Sequence, residues 1–394
     1  MLYSILDTDL YKFSTSYAYF KLYPNADGMF AFTDRTNTVM TTEQFDLLNH
    51  QIAKMSSMAL TDDELEWCVK HIPYIPRCYW EWLRGFRLDG NRIERWLDGD
   101  GRLHMQVCDK LYKATLYEVP LLAIVSCIMT GCVDCGTCGY AGLIESNVGM
   151  VRLKEKVEFA NRYNLKFSEF GTRRRNSKYW HDQVVKYLHG HCEGNCVGTS
   201  NVYLAKKYGM TPIGTFPHEW IMFHGACWGY QQGNYLGMRD WVRVYDGDLG
   251  IFLMDTYTSE VGLKSMSLKL AKLFDGVRQD SGDEIEIGEK VIARYEELGI
   301  DPSSKTIVFS NALDFEKYLK VRNHFAGRIK VSAGIGTNLT NDVGVTPANI
   351  VMKLSKCRLG NDDMWRNCIK VSDDLGKHQG DDKEFEIAKH QLGI

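Results

Sequence analysis

What most constrains this chain is an alternation that begins at Leu165 and runs to Lys356. Short apolar, β-branched runs recur, each followed by a loop and a segment of helical periodicity. Strands are expected at 165–170, 196–199, 211–216, 250–256, 275–279, 305–310, 328–334 and 350–356. Helices are expected between them at Ser177–Leu188, His218–Tyr230 and Glu284–Leu298, the last closed by Gly299 at a C′ position. Repeated strand–helix units favour an irregular (β/α) barrel, although a doubly wound open sheet meets the same periodicity. Before Leu165 the pattern is less regular. Thr61-Asp62-Asp63-Glu64 is a capping box opening a helix that must end by Pro73, aromatics crowd between Tyr79 and Phe86, and a further helix is expected from Glu145 to Tyr163.

Composition removes several function classes. A net charge of -3 gives no electrostatic footprint for nucleic acid or an anionic membrane. The N-terminus has no basic run followed by an apolar stretch, so no signal peptide is expected. The best membrane candidate, Leu121 to Met129, falls short of the roughly 20 residues a spanning helix needs. Twelve cysteines in 394 residues are too sparse for a secreted disulfide scaffold. Cys68, Cys108 and Cys227 sit singly among apolar residues and read as reduced core thiols, so a cytoplasmic location is expected.

Polar residues recur where these strands end. Glu169 and Arg173–Arg175 follow the first; Thr199, Ser200 and Asn201 the second; Thr215 and His218 the third; Asp255 the fourth. Asp280, Ser281 and Asp283 follow the fifth, Ser310, Asn311 and Asp314 the sixth, and Gly334, Gly336 and Thr337 the seventh. In a barrel these positions converge on the C-terminal mouth, where active sites are built.

Each group has a bland alternative. Arg173, Arg174 and Arg175 pack three guanidinium groups beside Gly171; like charges together want an anion, and guanidinium forks suit phosphate. The other reading is a solvated helix N-terminus, where the dipole disfavours cations. The turn Gly334-Ile335-Gly336-Thr337 can aim several N–H groups at one phosphate, or can be an ordinary turn. Asp280 and Asp283 flank Gly282 just after Arg278 and suit Mg²⁺ or ribose hydroxyls, while Asp283 can equally cap the helix at Glu284. His218, in the first turn of a helix, can serve as nucleophile or base, or be structural. The residues alone therefore indicate a phosphate-handling (β/α) enzyme of unnamed substrate.

The same blocks resemble the nicotinate phosphoribosyltransferase family nearly end to end. LDTDLYK (6–12), FGTRRR (170–175), GTSNVYLAKKYG (198–209), GTFPHEW (214–220), FDGVRQDSGD (274–283) and IKVSAGIGTNLTND (329–342) match in order, as do KVSDD (370–374) and Gly376-Lys377. The resemblance implies a barrel of the type II phosphoribosyltransferase kind, here residues 136–356. It is joined to an N-terminal α/β domain, residues 1–135, completed by 357–394. It implies a homodimer with shared active sites that joins nicotinate to phosphoribosyl pyrophosphate in NAD salvage, with Mg²⁺, and coupled to ATP as a ligase. By resemblance, Tyr11, Thr215 and Arg278 bind nicotinate, Tyr11 arriving from the N-terminal domain of the same or the partner subunit. Arg173, Arg175, Asp283, Gly336 and Thr337 bind phosphoribosyl pyrophosphate, and Asp280 serves ribose or Mg²⁺. His218 is the histidine that ATP phosphorylates, with Glu219 orienting the imidazole or its attacking water.

Cys132, Cys135 and Cys138 match no block of that family. Their spacing is that of part of an iron–sulfur or zinc site, which His189, His191, Cys192 and Cys196 could complete. Two rival functions follow: a cysteine-based metal-binding protein, and a phosphoribosyltransferase for nicotinamide or another pyridine base.

Overall fold

The computed structural model describes residues 1–131, 140–360 and 362–394. After a buried helix, Leu10–Leu22, the chain lays down β1 (Asp27–Asp34), β2 (Ile93–Leu97) and β3 (Leu103–Lys110), which pair antiparallel in the order β1-β3-β2. The period-two rule is legible in β3, where Leu103, Met105 and Val107 turn inward while His104 and Cys108 face out. Cys108 is therefore a surface thiol, against the expectation of a core one; its neighbours alternate polar and apolar. The Thr61/Glu64 capping box forms as expected at the helix Asp62–His71.

Helix Glu118–Met129 continues an apolar stretch from Leu111 that is longer than the run read from the sequence. By length and composition it is the one candidate membrane span among the described residues, but its surface is mostly buried inside the protein. It is a core helix.

The alternating half follows. β4 (Phe167–Glu169), β5 (Cys196–Thr199), β6 (Ile251–Leu253), β7 (Gly276–Gln279), β8 (Thr306–Phe309) and β9 (Lys330–Ile335) form a parallel sheet in the order β5-β4-β9-β8-β7-β6. The segment expected as a strand at 211–216 makes only a single parallel bridge, Thr199 to Pro212, through the Thr211 carbonyl and the Ile213 N–H, and Pro212 offers no N–H on its other side. It stands beside β5, and its Phe216 ring faces Phe252 of β6 at 5.9 Å. Taken around the sheet, the segments follow chain order and β9 closes onto β4. This is an α/β fold whose (β/α) barrel is irregular, with hydrogen bonding open between 211–216 and β6.

β10 (Ile350–Arg358) corrects the sequence reading. Expected as the eighth barrel strand, it pairs antiparallel with β1 from Asp27↔Arg358 to Asp34↔Ile350, and β11 (Arg366–Asn367) pairs with it in turn. Periodicity identifies a strand without naming its partner, so the return to the first sheet starts at 350 and not 357. The following tail does not stay there. Asp373 accepts from the Ser259 N–H and hydroxyl, and Lys377 reaches the Asp280 carbonyl, so residues 370–377 pack on the mouth of the barrel.

Candidate active site

His218 begins the helix His218–Trp228, with Pro217 before it and only 4% of the residue exposed. Nδ1 lies 3.0 Å from the Thr256 hydroxyl and Nε2 lies 3.3 Å from Asp280 Oδ2. Burial, reinforced by the Lys370 charge, pushes the imidazole pKa well below its usual value. Burial alone would raise Asp280, but the His218 hydrogen bond and the Arg278 charge hold it well below the carboxylate range. The pair is thus a neutral imidazole beside an ionised carboxylate. Asp280 also accepts from the Ser310 hydroxyl at 3.0 Å.

Arg278 and Asp280 leave the same strand end, β7. Arg278 donates to the Thr215 hydroxyl at 3.1 Å, while its Nε is buried with no hydrogen-bond partner. The Tyr11 backbone passes Gly214, next to Thr215, where an added Cβ would stand 2.9 Å from the Tyr11 nitrogen, and its ring lies near Arg173 and Glu118. Asp7 and Asp9 hold that helix start in place. Asn201 Nδ2 donates to Asp7 at 2.8 Å, and the Ser200 hydroxyl donates to Asp9 at 2.7 Å.

Cations crowd this cleft. Arg173 is one-third exposed and stands 3.8 Å from Glu118. Burial, then the charges of Arg173 and Arg35, push the Arg174 guanidinium down to about 9. Burial also brings Lys353 of β10 down to about 7, with Arg173 and Lys370 adding to the effect. Lys370, 5% exposed, is lowered first by burial, against the pull of Asp255 and Asp280. Such mutual repulsion is relieved by a polyanion. On the far side, Gly336 precedes the turn Thr337–Thr340 and passes so close to Phe170 that a Cβ there would lie 2.9 Å from its carbonyl oxygen. Gly171 is tighter: its Cβ would come within 2.2 Å of Thr340. The two turns interlock.

Three expected site residues are placed elsewhere. Arg175 is fully buried and grips Asp7 through two hydrogen bonds, 2.7 and 2.9 Å, so it fastens the N-terminus instead of facing the cleft. Asp283 is exposed and caps the helix Glu284–Glu297, accepting from the Ile285 and Glu286 N–H groups. Glu219 turns away from His218 to Lys12 and Thr115, leaving Thr256 and Asp280 to orient the imidazole. Helical geometry explains this, since adjacent positions do not face each other. Sequence reasoning also missed Thr256, Arg35, Lys353 and Lys370 as site groups. Lys353 and Lys370, set among apolar residues, carried the only available signal. Asp255, noted only as a strand end, is fully buried and pushed up to about 6, mainly by burial.

Cys132, Cys135 and Cys138 lie outside the described residues. Among the described residues no group of three or more His, Cys, Asp or Glu side chains is placed to hold a metal ion.

Against known families, residues 165–393 match the nicotinate phosphoribosyltransferase (NAPRTase) family and residues 6–126 match its N-terminal domain. The chain belongs to the nicotinate phosphoribosyltransferase family. The nicotinate phosphoribosyltransferase of Chromohalobacter salexigens is 41% identical, with 100% of this chain and 99% of that protein aligned. The crystal structure of nicotinate phosphoribosyltransferase from Porphyromonas gingivalis superposes with a TM-score of 0.94 at 44% identity, covering 100% of both chains. The structure of the Vibrio cholerae nicotinate phosphoribosyltransferase gives 0.91 at 30% identity, over 100% of this chain and 94% of that one. Membership in the nicotinate phosphoribosyltransferase family displaces the reading of a metal protein built on a barrel scaffold.

Proposed function

We propose that the protein joins nicotinate to phosphoribosyl pyrophosphate, forming nicotinate mononucleotide and pyrophosphate in NAD salvage, with ATP coupled through His218. The observation that carries this reading is the β7 strand end. Arg278, held by Thr215, whose neighbour Gly214 lies against the Tyr11 backbone, offers a buried, unpartnered Nε–H to a carboxylate, and Asp280, two residues on, holds His218. One strand end thereby serves both the base and the phosphorylated group. Nicotinate is a flat aromatic carboxylate, which suits a tyrosine ring and a guanidinium.

As pyrophosphate leaves C1 of the ribose, positive charge develops on that carbon and negative charge on the leaving oxygens. Arg173, Arg174, Arg35, Lys353 and Lys370 meet the negative charge without needing to reorganise. Gly336 and Thr337 offer backbone N–H groups to the 5′-phosphate. Mg²⁺ fits as an ion that arrives with the polyphosphate, since it is commonly held by one or two carboxylates plus substrate phosphates. Asp280 and Asp255, whose Oδ1 is buried without a hydrogen-bond partner, would hold it, and it would add further neutralising charge. With Asp280 accepting from Nε2–H, the Nδ1 lone pair of His218, which the Thr256 hydroxyl holds until ATP arrives, attacks the γ-phosphorus of ATP, and Asp280 stabilises the charge that develops on the ring. An N–P bond forms, the bond to ADP breaks, and later hydrolysis of the phosphohistidine drives the synthesis.

The test compares nicotinate with nicotinamide as acceptor of the phosphoribosyl group. A half-buried guanidinium with an unpartnered Nε–H should favour nicotinate by about a hundredfold in kcat/KM. Equal use of the two bases would overturn the substrate assignment.

A further inference from the structure

Behind this site lies a buried charge cluster that the proposed reaction does not use. The Lys12 side chain is inaccessible, and its ammonium contacts the carboxylates of Glu118 and Glu219 and the Thr115 hydroxyl at 3.2 Å. Thr115 donates in turn to the second oxygen of Glu219, closing a ring of hydrogen bonds. One cation with two carboxylates leaves one net negative charge. Its open face is Glu118 Oε1, buried without a hydrogen-bond partner, with the Arg173 guanidinium 3.8 Å away.

Each member is borne by a chain segment that also bears a site group. Lys12 follows Tyr11 on the first helix, Glu219 follows His218, and Glu118 opens the core helix and faces Arg173. Buried ion pairs add little net stability over apolar residues of similar shape, because desolvation offsets their attraction. What such a cluster supplies well is fixed relative position, provided every partner is satisfied. Three segments far apart in the chain are here locked to one ammonium.

We propose that Lys12, Glu118 and Glu219 are positioning residues that hold the His218 helix, Tyr11 and Arg173 in one rigid frame. Through it, phosphorylation at His218 is felt at the pyrophosphate and nicotinate sites. This rests on the reading of His218 given above. The frame carries no proton and touches no substrate; it keeps the two half-reactions in register, so that ATP is hydrolysed when a mononucleotide is made.

The experiment measures ATP hydrolysed per mononucleotide formed, alongside the melting temperature, in wild type, Glu219→Gln and Lys12→Met/Glu219→Gln. The double variant keeps the net charge of the cluster, with Glu118 as its one ion, but cuts the tether between helices. Thr115→Val, nearly isosteric, breaks only the hydroxyl link and keeps the test open if the others do not fold. Expected is a rise of about tenfold in the ratio for the tether variants, the size of loss that small misplacements of reacting groups produce. A purely structural role would lower the melting temperature and leave the ratio at its wild-type value, and that result in folded variants overturns the inference alone. A wild type whose synthesis does not respond to ATP overturns the reading of His218, and this inference with it.

Discussion

At the residue scale, burial decides which charges act and which merely hold. Arg175 and Asp7 form a fully buried, doubly hydrogen-bonded pair. Replacing Arg175 with Ala strands a carboxylate in the core and should cost about 3–5 kcal/mol in denaturant unfolding. Substrate KM values of the folded protein should stay unchanged; a rise in KM for phosphoribosyl pyrophosphate would return Arg175 to the cleft. Asp255 shows the opposite economy of charge. Its carboxyl, at about 6, is raised above the unfolded value, so ionising it opposes folding, and that opposition is complete above pH 6 and absent below about pH 4. Asp255→Asn should therefore gain about 2–3 kcal/mol at pH 7.5 and progressively less toward pH 4.5, read as melting temperatures. A gain independent of pH would contradict the assignment. His218 is depressed, so its imidazole stays neutral well below pH 6.5. The His218 imidazole should show no titration near that pH; a His218 ring resonance that moves with a midpoint near pH 6.5 in an NMR titration, identified by its loss in His218→Asn, would refute its burial in the working enzyme.

At the element scale, the site depends on two turns that fit only because of missing side chains. Gly171→Ala places a Cβ within 2.2 Å of Thr340, so the Arg173 loop and the Gly336 turn must part. A loss of about 1–3 kcal/mol and a raised KM for phosphoribosyl pyrophosphate are expected, measured by thermal unfolding and initial rates. These elements were also where the sequence spoke most clearly. The short strands β5 and β7 and the helices beginning at His218 and Glu284 lie within a residue or two of where apolar periodicity and capping residues put them. The barrel-mouth rule then found His218, Asp280 and Thr215 together, and the family resemblance added Arg278 to them. It failed for β10, because a strand's own pattern does not name its neighbour, and the antiparallel register with β1 joins residues more than 300 positions apart. It failed for Asp283 because that side chain caps its own helix, and the role that resemblance gave Glu219 failed because its carboxylate is taken by Lys12, far away in the chain. Arg35 gave no signal at all: its place beside Arg173 comes from how the two sheets meet.

At the scale of the whole molecule, the cleft is built where the antiparallel unit closes on the barrel. The barrel gives His218, Arg278, Asp280 and Arg173; the first sheet and its flanks give Tyr11, Arg35 and Lys353; the tail brings Lys370 and Lys377 back over the mouth. One chain thus brings an arginine of strand β7, a crowd of cations and one neutral histidine to a single cleft, which is the arrangement the proposed reaction needs. The most direct measurement is the yield of nicotinate mononucleotide from nicotinate, phosphoribosyl pyrophosphate and Mg²⁺, with and without ATP, for wild type and His218→Ala side by side. The expected result is product that rises with ATP in wild type, and a smaller, ATP-indifferent yield in the variant. Failure of wild type to make the mononucleotide, or an ATP response that survives loss of the imidazole, would contradict the account.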